Sequence, residues 1–303
     1  MHFTLRQIAM FDAIVRSGTL RAAAEEMALS QSAASMALKE LEENLGIKLF
    51  HRFGRKLVLN ENGRRLKPKA RSLVVMAAEI ARPEAQDLEG LLRIAATVTV
   101  GSYVLPRCCS EFLRCHPNVR METIVGAVAN TVERVEAMSV DLGLIDTTCN
   151  RNTLRIEPIG DDKAVVFAAP DHPLARRKRV SIADLRTSSW CLRESPSLTR
   201  LHLVMALRVP VLNDIRFVAS TYEAVKGAVM AGLGLGFASI HVIAREVAAG
   251  DLVIIPAPSV ALERTYTLLA PKDVYQGELP MAFTNHLREW FVSAGQHQNR
   301  LLK

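Results

Sequence analysis

Residues 29–46, LSQSAASMALKELEENLG, put two kinds of surface on one helix. Ala34, Leu38, Leu41 and Leu45 recur at i, i+4, i+7 and i+11 and share a face that must be packed against something. Ser30 stands where an N-cap is expected and Gly46 where the helix must end. A different face carries Gln31, Ser32, Ser35, Met36 and Lys39. A Gln amide can make a bidentate pair with adenine, and Ser hydroxyls can serve bases or phosphates, so this face has the chemistry of base reading. A bulky first turn could not lie as close to a base edge.

Covalent and metal chemistry find no comparable constellation. The cysteines are Cys108, Cys109, Cys115, Cys149 and Cys191, an odd number with no C-x-x-C, which argues against a disulfide or zinc framework. The first three fall in one apolar helix and read as core, whereas Cys149 and Cys191, near strand ends, leave an oxidant sensor open. No Ser or His sits in a triad or nucleophile elbow, and the eight His are scattered, so no enzyme is expected. The run AGLGLGFAS at 231–239 echoes a dinucleotide fingerprint. It follows a helix and leads into a strand, the reverse of the required order, and reads as a tight turn.

The reading face needs a scaffold, and the preceding residues supply one. Leu5, Ile8, Phe11 and Val15 define a helix closed at Ser17-Gly18, and Leu20, Ala23, Ala24 and Met27 define a second. The break at Ala28-Leu29-Ser30 is the length that joins the helices of a helix-turn-helix, whose last helix enters the major groove. An ordinary three-helix unit with a solvated Ser-rich face would share this periodicity. The next segment favours nucleic acid: Lys48, Arg52, Arg55, Lys56, Arg64, Arg65, Lys67, Lys69 and Arg71 face one acid, Glu61, in a chain of net charge +7. IKLFHRFGRKLVLN reads as two strands around Phe53-Gly54-Arg55, a wing with a basic tip.

Beyond the wing, Leu66, Ala70, Leu73, Ala77 and Ile80 follow the 4-3-4-3 spacing of a coiled-coil seam, which calls for a partner helix. Pro68 is expected to kink this helix and Pro83 to stop or bend it. From Leu91 the runs LLRIAA, METIV, VDLGLI, AVVFAA, WCLRE, IRFVA, LGLGFA and LVIIPA alternate with helical patterns, the grammar of an α/β domain with mainly parallel sheets. Three strand-to-helix junctions gather hydroxyls: Thr97, Thr99 and Ser102 before a helix starting near Ser102; Ser195, read as N-cap, with Ser197 and Thr199; and Ser220 with Thr221 in a Ser-x-x-Glu capping box. Such junctions favour an anion, and Arg193 and Arg200 can add a charged clamp, although any helix uses the same caps.

Residues 11–63 closely resemble the N-terminal signature of the LysR-type transcriptional regulators, through Ala22-Ala23, Ser30-Gln31, Ser35, Leu41-Glu42, Leu45-Gly46, Leu49-Phe50, Arg52, Arg55 and Gly63. The resemblance implies a winged helix-turn-helix, pairing through a long linker helix and usually a dimer of dimers. It also implies a small-molecule effector held between the lobes of a C-terminal α/β domain similar to type II periplasmic binding proteins. WCLRESPSLTR at 190–200 is similar to the W-x-L-R-E-x-G-S-G-T-R stretch of the branch regulating sulfite reduction and carbon fixation. Pro196 and Leu198 replace its glycines, which narrows the expected backbone approach of a ligand.

The resulting expectation is an α/β protein with a winged helix-turn-helix over 1–60, a linker helix over 61–89 and an effector domain over 90–303. Lobe I takes 90–162 and 268–303, and lobe II takes 163–267. The partners are double-stranded DNA, further copies of the chain and a small anion or a carboxylate or phosphate metabolite, with RNA polymerase also open and no cofactor needed. A redox-sensing regulator using Cys149 or Cys191 and a solute-binding protein remain as alternatives. The first residues lack a signal-peptide pattern and no run nears the ~18 apolar residues of a membrane span, so a cytoplasmic protein is expected.

Overall fold

A computed structural model describes residues 2–301 other than 54–55, 82–86, 195–196, 210–211 and 213. The chain divides into two compact units, Met1–Pro158 with Thr267–Glu289, and Ile159–Tyr266 with Trp290–Lys303.

The first unit begins with α1 (Leu5–Ser17), α2 (Leu20–Glu26) and α3 (Gln31–Leu45), whose N-caps Thr4, Thr19 and Ser30 each accept a backbone N–H through their side chains. Ile8, Phe11, Ile14, Ala23, Ala24, Ala34, Leu38 and Leu41 form one buried core, with Leu45 only partly buried at its margin. Gly46 closes α3 at φ 67°, the left-handed conformation that glycine adopts without a side-chain penalty.

Strands β1 (Phe50–Phe53) and β2 (Lys56–Leu59) pair antiparallel as the wing, with Phe50 opposite Leu59. Glu42 of α3 ties the wing down: its Oε1 accepts the buried Leu49 N–H at 2.8 Å and its Oε2 accepts from Lys48 Nζ at 2.8 Å. From N-cap Asn60 the chain enters α4 (Glu61–Ile80). A side chain at Gly63 would stand 2.2 Å from the Leu49 carbonyl oxygen, so this turn packs directly on the wing's base. The helix runs on through Pro68, while Pro83 lies outside the described residues.

The expected seam is divided by packing. Ala70 and Leu66 join the core of the three-helix unit, leaving Lys69, Leu73, Met76 and Ile80 exposed in a 4-3-4 row. Tertiary contact with α1 thus claims the first half of the predicted stripe.

The chain then builds β3 (Gly90–Thr97), α5 (Leu105–Cys115), β4 (Val119–Gly126), α6 (Val128–Glu136) and β5 (Leu142–Ile145), with β3 paired parallel to both β4 and β5. The helix expected near Ser102 begins earlier, at residue 98, and passes through a π-turn at Val100–Val104 before α5.

In the second unit, β6 (Leu154–Ala168), α7 (Ile182–Arg186), β7 (Trp190–Arg193), α8 (Leu198–Leu207), β8 (Ile215–Ala219), α9 (Tyr222–Met230), β9 (Gly236–Ser239), α10 (Ile240–Ala249) and β10 (Val253–Ile254) enclose a core around Trp190, Leu192, Leu203, Leu207, Leu235 and Phe237. Strands β7 and β8 are parallel, whereas β9 and β10 run antiparallel to β6. The long strand β11 (Leu262–Pro271) brings the chain back to the first unit, where it pairs antiparallel with β5, and α11 (Glu278–Leu301) follows. The sheets are therefore mixed rather than mainly parallel. Strands β6 and β11, which carry the chain out of one unit and back, pair antiparallel with their neighbours β9, β10 and β5.

The glycine run resolves as expected into a helix-to-strand turn. Gly234 sits at φ 154°, and a side chain there would meet the Ser189 carbonyl oxygen at 2.4 Å.

Candidate nucleic-acid interface

The three-helix unit and wing enclose an open concavity of about 870 Å³ lined by Thr19, Arg21, Gln31, Ser32, Ser35 and Arg52 over Leu20, Leu38 and Leu57. The apolar members floor it and the polar ones face solvent. Ser30 accepts the Ala33 N–H at 3.1 Å and lies 2.9 Å from Ser32 Oγ, so the first turn of α3 is held while Gln31 stays exposed. The fold thus brings Gln31, Ser32, Ser35 and Arg52 around one space. Met36, 59% exposed, and Lys39, paired with Glu43 at 3.5 Å, lie further along the helix and do not line it. Arg55 lies outside the described residues.

Two lining residues were not anticipated from sequence. Thr19 and Arg21 open α2, and the only available signal was their place at the start of the first helix of the pair.

The anticipated anion-binding residues divide between the units. In the first, Thr97 ends β3 opposite Gly126, is buried, and has no hydrogen-bond partner for its hydroxyl among the described residues. Thr99 is also buried, and Ser102 is exposed within the π-turn rather than at a helix N-terminus.

In the second unit, Ser195 lies outside the described residues, and the N-cap of α8 is Ser197, which accepts the Arg200 N–H at 3.3 Å. Arg200 Nη1 donates to the Arg193 carbonyl at 3.4 Å, while the Arg193 guanidinium stands 5.1 Å from the Tyr222 ring centre. At α9 the cap is Thr221, accepting the Ala224 N–H at 3.3 Å, rather than Ser220. Both caps are themselves extended, the last such residues before the helical backbone begins, a geometry that the spacing of hydroxyls does not encode. Leu198 projects into solvent, 55% exposed.

A buried ionic network in this unit escaped the sequence reading. Asp162 on β6 accepts Arg264 Nε of β11 at 2.9 Å, a second Arg264 contact from Nη2, and Ser239 Oγ at 2.6 Å. Arg264 Nη1 also reaches Thr199 Oγ1 at 3.3 Å. The partners lie 65 to 102 positions apart in the chain, so no local pattern could pair them.

The cysteine geometry opposes the redox alternative. Burial pushes the Cys191 thiol up to about 11 and raises that of Cys149, keeping both protonated at neutral pH, where the thiolate is the reactive form. Among the described residues, no helix is long and apolar enough to cross a membrane.

Residues 5–64 match the bacterial regulatory helix-turn-helix family of lysR type, and residues 85–292 match the LysR substrate binding domain. The chain is 38% identical over 267 residues to the uncharacterized HTH-type transcriptional regulator YeiE of Escherichia coli K12, covering 88% of this chain and 90% of that one. It is 34% identical to the RuBisCO operon transcriptional regulator of Allochromatium vinosum, over 84% of this chain and 85% of that one. The regulatory domain of CcmR from Synechocystis, solved in complex with 2-PG, superposes with a TM-score of 0.60 at 26% identity, over 67% of this chain and 98% of that one. A solute-binding protein would not carry the N-terminal unit. The chain belongs to the LysR family of DNA-binding transcriptional regulators, with an N-terminal helix-turn-helix and a C-terminal effector domain.

Proposed function

We propose that Gln31, Ser32 and Ser35, with Met36 and Lys39 further along α3, read base edges in the major groove, while Arg52 and Arg55 of the wing hold the backbone. The observation that carries this is the solvent-open concavity in which Gln31, Ser32, Ser35, Arg21 and Arg52 converge over a packed apolar floor. Glu42 ties the start of the wing to α3, so the polar groups of both are presented on elements joined by buried hydrogen bonding.

Control comes from a small anion, of the carboxylate or phosphate class, bound by Thr97, Thr99 and Ser102 in lobe I and by Arg193, Ser195, Ser197, Thr199, Arg200, Ser220 and Thr221 in lobe II. The orphaned Thr97 hydroxyl supports this, since a buried polar group without a partner costs about 1–3 kcal/mol and favours a ligand that satisfies it. The complex of CcmR with 2-PG supports the class, and 2-PG is the first ligand to test. Domain limits at 60, 89 and the lobe crossings near 162 and 268 complete this reading. Copies pair through the exposed Leu73, Met76 and Ile80 row of α4, and two pairs assemble on DNA. The protein works in the cytoplasm as a regulator rather than an enzyme, with RNA polymerase its expected further partner. Ligand binding shifts the population between two arrangements of the assembly and so alters DNA affinity or footprint.

The test is the affinity of the full-length protein for DNA upstream of its own gene, with and without Gln31→Ala, across a salt series and with or without 2-PG. Binding that weakens with salt, and that loses about 5- to 100-fold of its preference over random DNA in the variant, is expected. Equal binding to random DNA, unchanged by the substitution, would refute the assignment of α3.

A further inference from the structure

Two basic residues of α4, one turn apart, face inward rather than toward DNA. Lys67 Nζ donates to the Glu136 carbonyl at 2.6 Å, at the last residue of α6, where the helix end carries partial negative charge. Its ammonium is largely removed from water, and burial lowers its pKa from the usual lysine range. One turn on, Arg71 holds two carboxylates from different parts of the chain. Its Nη1 lies 3.4 Å from Asp12 Oδ2 on α1, and its Nη2 donates to Asp141 Oδ1 at 2.9 Å, just before β5.

Neither carboxylate is a passing surface charge. Asp12 is 3% exposed and also accepts Arg16 Nε at 2.9 Å. Asp141 accepts the Arg93 N–H of β3 at 2.9 Å and donates its own N–H to the Arg93 carbonyl at 2.8 Å, which fixes it to the sheet. Arg71 therefore spans the core of the three-helix unit and the first sheet of the effector domain. A guanidinium can do this because its planar fork directs donors to two sites at once, whereas an ammonium is a single point.

The helix that Lys67 caps gives the bridge a direction. Helix α6 starts beside Gly126, the residue opposite Thr97 in the β3–β4 register, and ends on Lys67. A rigid element thus runs from the row holding the orphaned Thr97 hydroxyl to the inner face of α4.

We propose that Arg71 is a positioning residue: through Asp12 and Asp141 it fixes the angle at which the winged helix-turn-helix is carried on the effector domain, and so sets the spacing between paired DNA half-sites. The inference rests on the DNA-reading face assigned above. It adds the residue that turns effector-domain position into DNA geometry.

The experiment uses full-length wild type, Arg71→Lys and Asp141→Asn, with half-site DNA selected from a random pool by the wild-type protein. Affinity is measured for a single half-site and for duplexes with two half-sites whose separation is stepped through one helical turn. The wild type is expected to discriminate between spacings by about tenfold or more, within the range of ordinary coupling between sites. Both variants should keep single half-site affinity within about twofold and spread their two-site affinities within about twofold across all spacings. Variants that keep the wild-type spacing preference would overturn the bridge. So would a loss of single half-site affinity equal to the two-site loss, since that is what mere destabilisation produces, and thermal melts of both variants separate the two. If the wild type selects no half-site at all, the DNA-reading assignment fails, and the bridge falls with it.

Discussion

Replacing Asp162 by Ala removes the carboxylate that accepts from Arg264 Nε at 2.9 Å, beside a side chain that is 7% exposed. The guanidinium would stay buried without that carboxylate, and Ser239 Oγ would lose its 2.6 Å acceptor. Removing one partner of a buried, hydrogen-bonded pair costs about 3–5 kcal/mol, because the charge that stays buried loses the carboxylate that offset its desolvation. With a urea dependence of about 2 kcal/mol per molar, the midpoint should fall by about 1.5–2.5 M. The assay is favourable because both tryptophans, Trp190 and Trp290, are buried in the second unit, so their emission reads that unit's unfolding. The double variant Asp162→Leu with Arg264→Met should recover most of the loss, since removing both charges removes the desolvation cost as well. A single-variant loss below about 1 kcal/mol, or a double variant as unstable as the sum of the singles, would refute this account of the network.

Two further outcomes concern the wing and the thiols. Glu42→Ala leaves the buried Leu49 N–H without its 2.8 Å acceptor, so the N-terminal unit should lose about 1–3 kcal/mol and DNA affinity should drop through a displaced wing, read by thermal melt and DNA titration. Because burial raises the thiol pKa of Cys149 and Cys191, the neutral thiol persists below the raised value and the reactive thiolate gains only as pH climbs through it. Alkylation of Cys191 should therefore stay slow at neutral pH and rise toward about pH 11, and replacing Cys149 and Cys191 by Ser should leave any peroxide response of DNA binding unchanged.

The N-terminal unit was legible residue by residue because its information is local. The spacing of Ala34, Leu38 and Leu41, the caps Ser30 and Gly46, and the small residues of α2 each act within a few positions, and together they specify helices, turn and exposed face. The alternation of strands and helices after Leu91 announced an α/β domain for the same reason. What local pattern could not reveal was which apolar residues meet a neighbour. Leu66 and Ala70 share a stripe with Leu73 and Ile80, yet packing on the three-helix core draws in the first pair, Ala70 fully and Leu66 partly, and leaves the second exposed. The helix caps are Ser197 and Thr221 rather than their neighbours Ser195 and Ser220, because several hydroxyls stand close together and only the backbone angle selects one. The bonds of Asp162 to Arg264 and of Arg71 to Asp12 and Asp141 join residues 59 to 102 positions apart. Their energy comes from desolvation and direction at a meeting point that exists only when the chain is folded, so tertiary structure alone decides them.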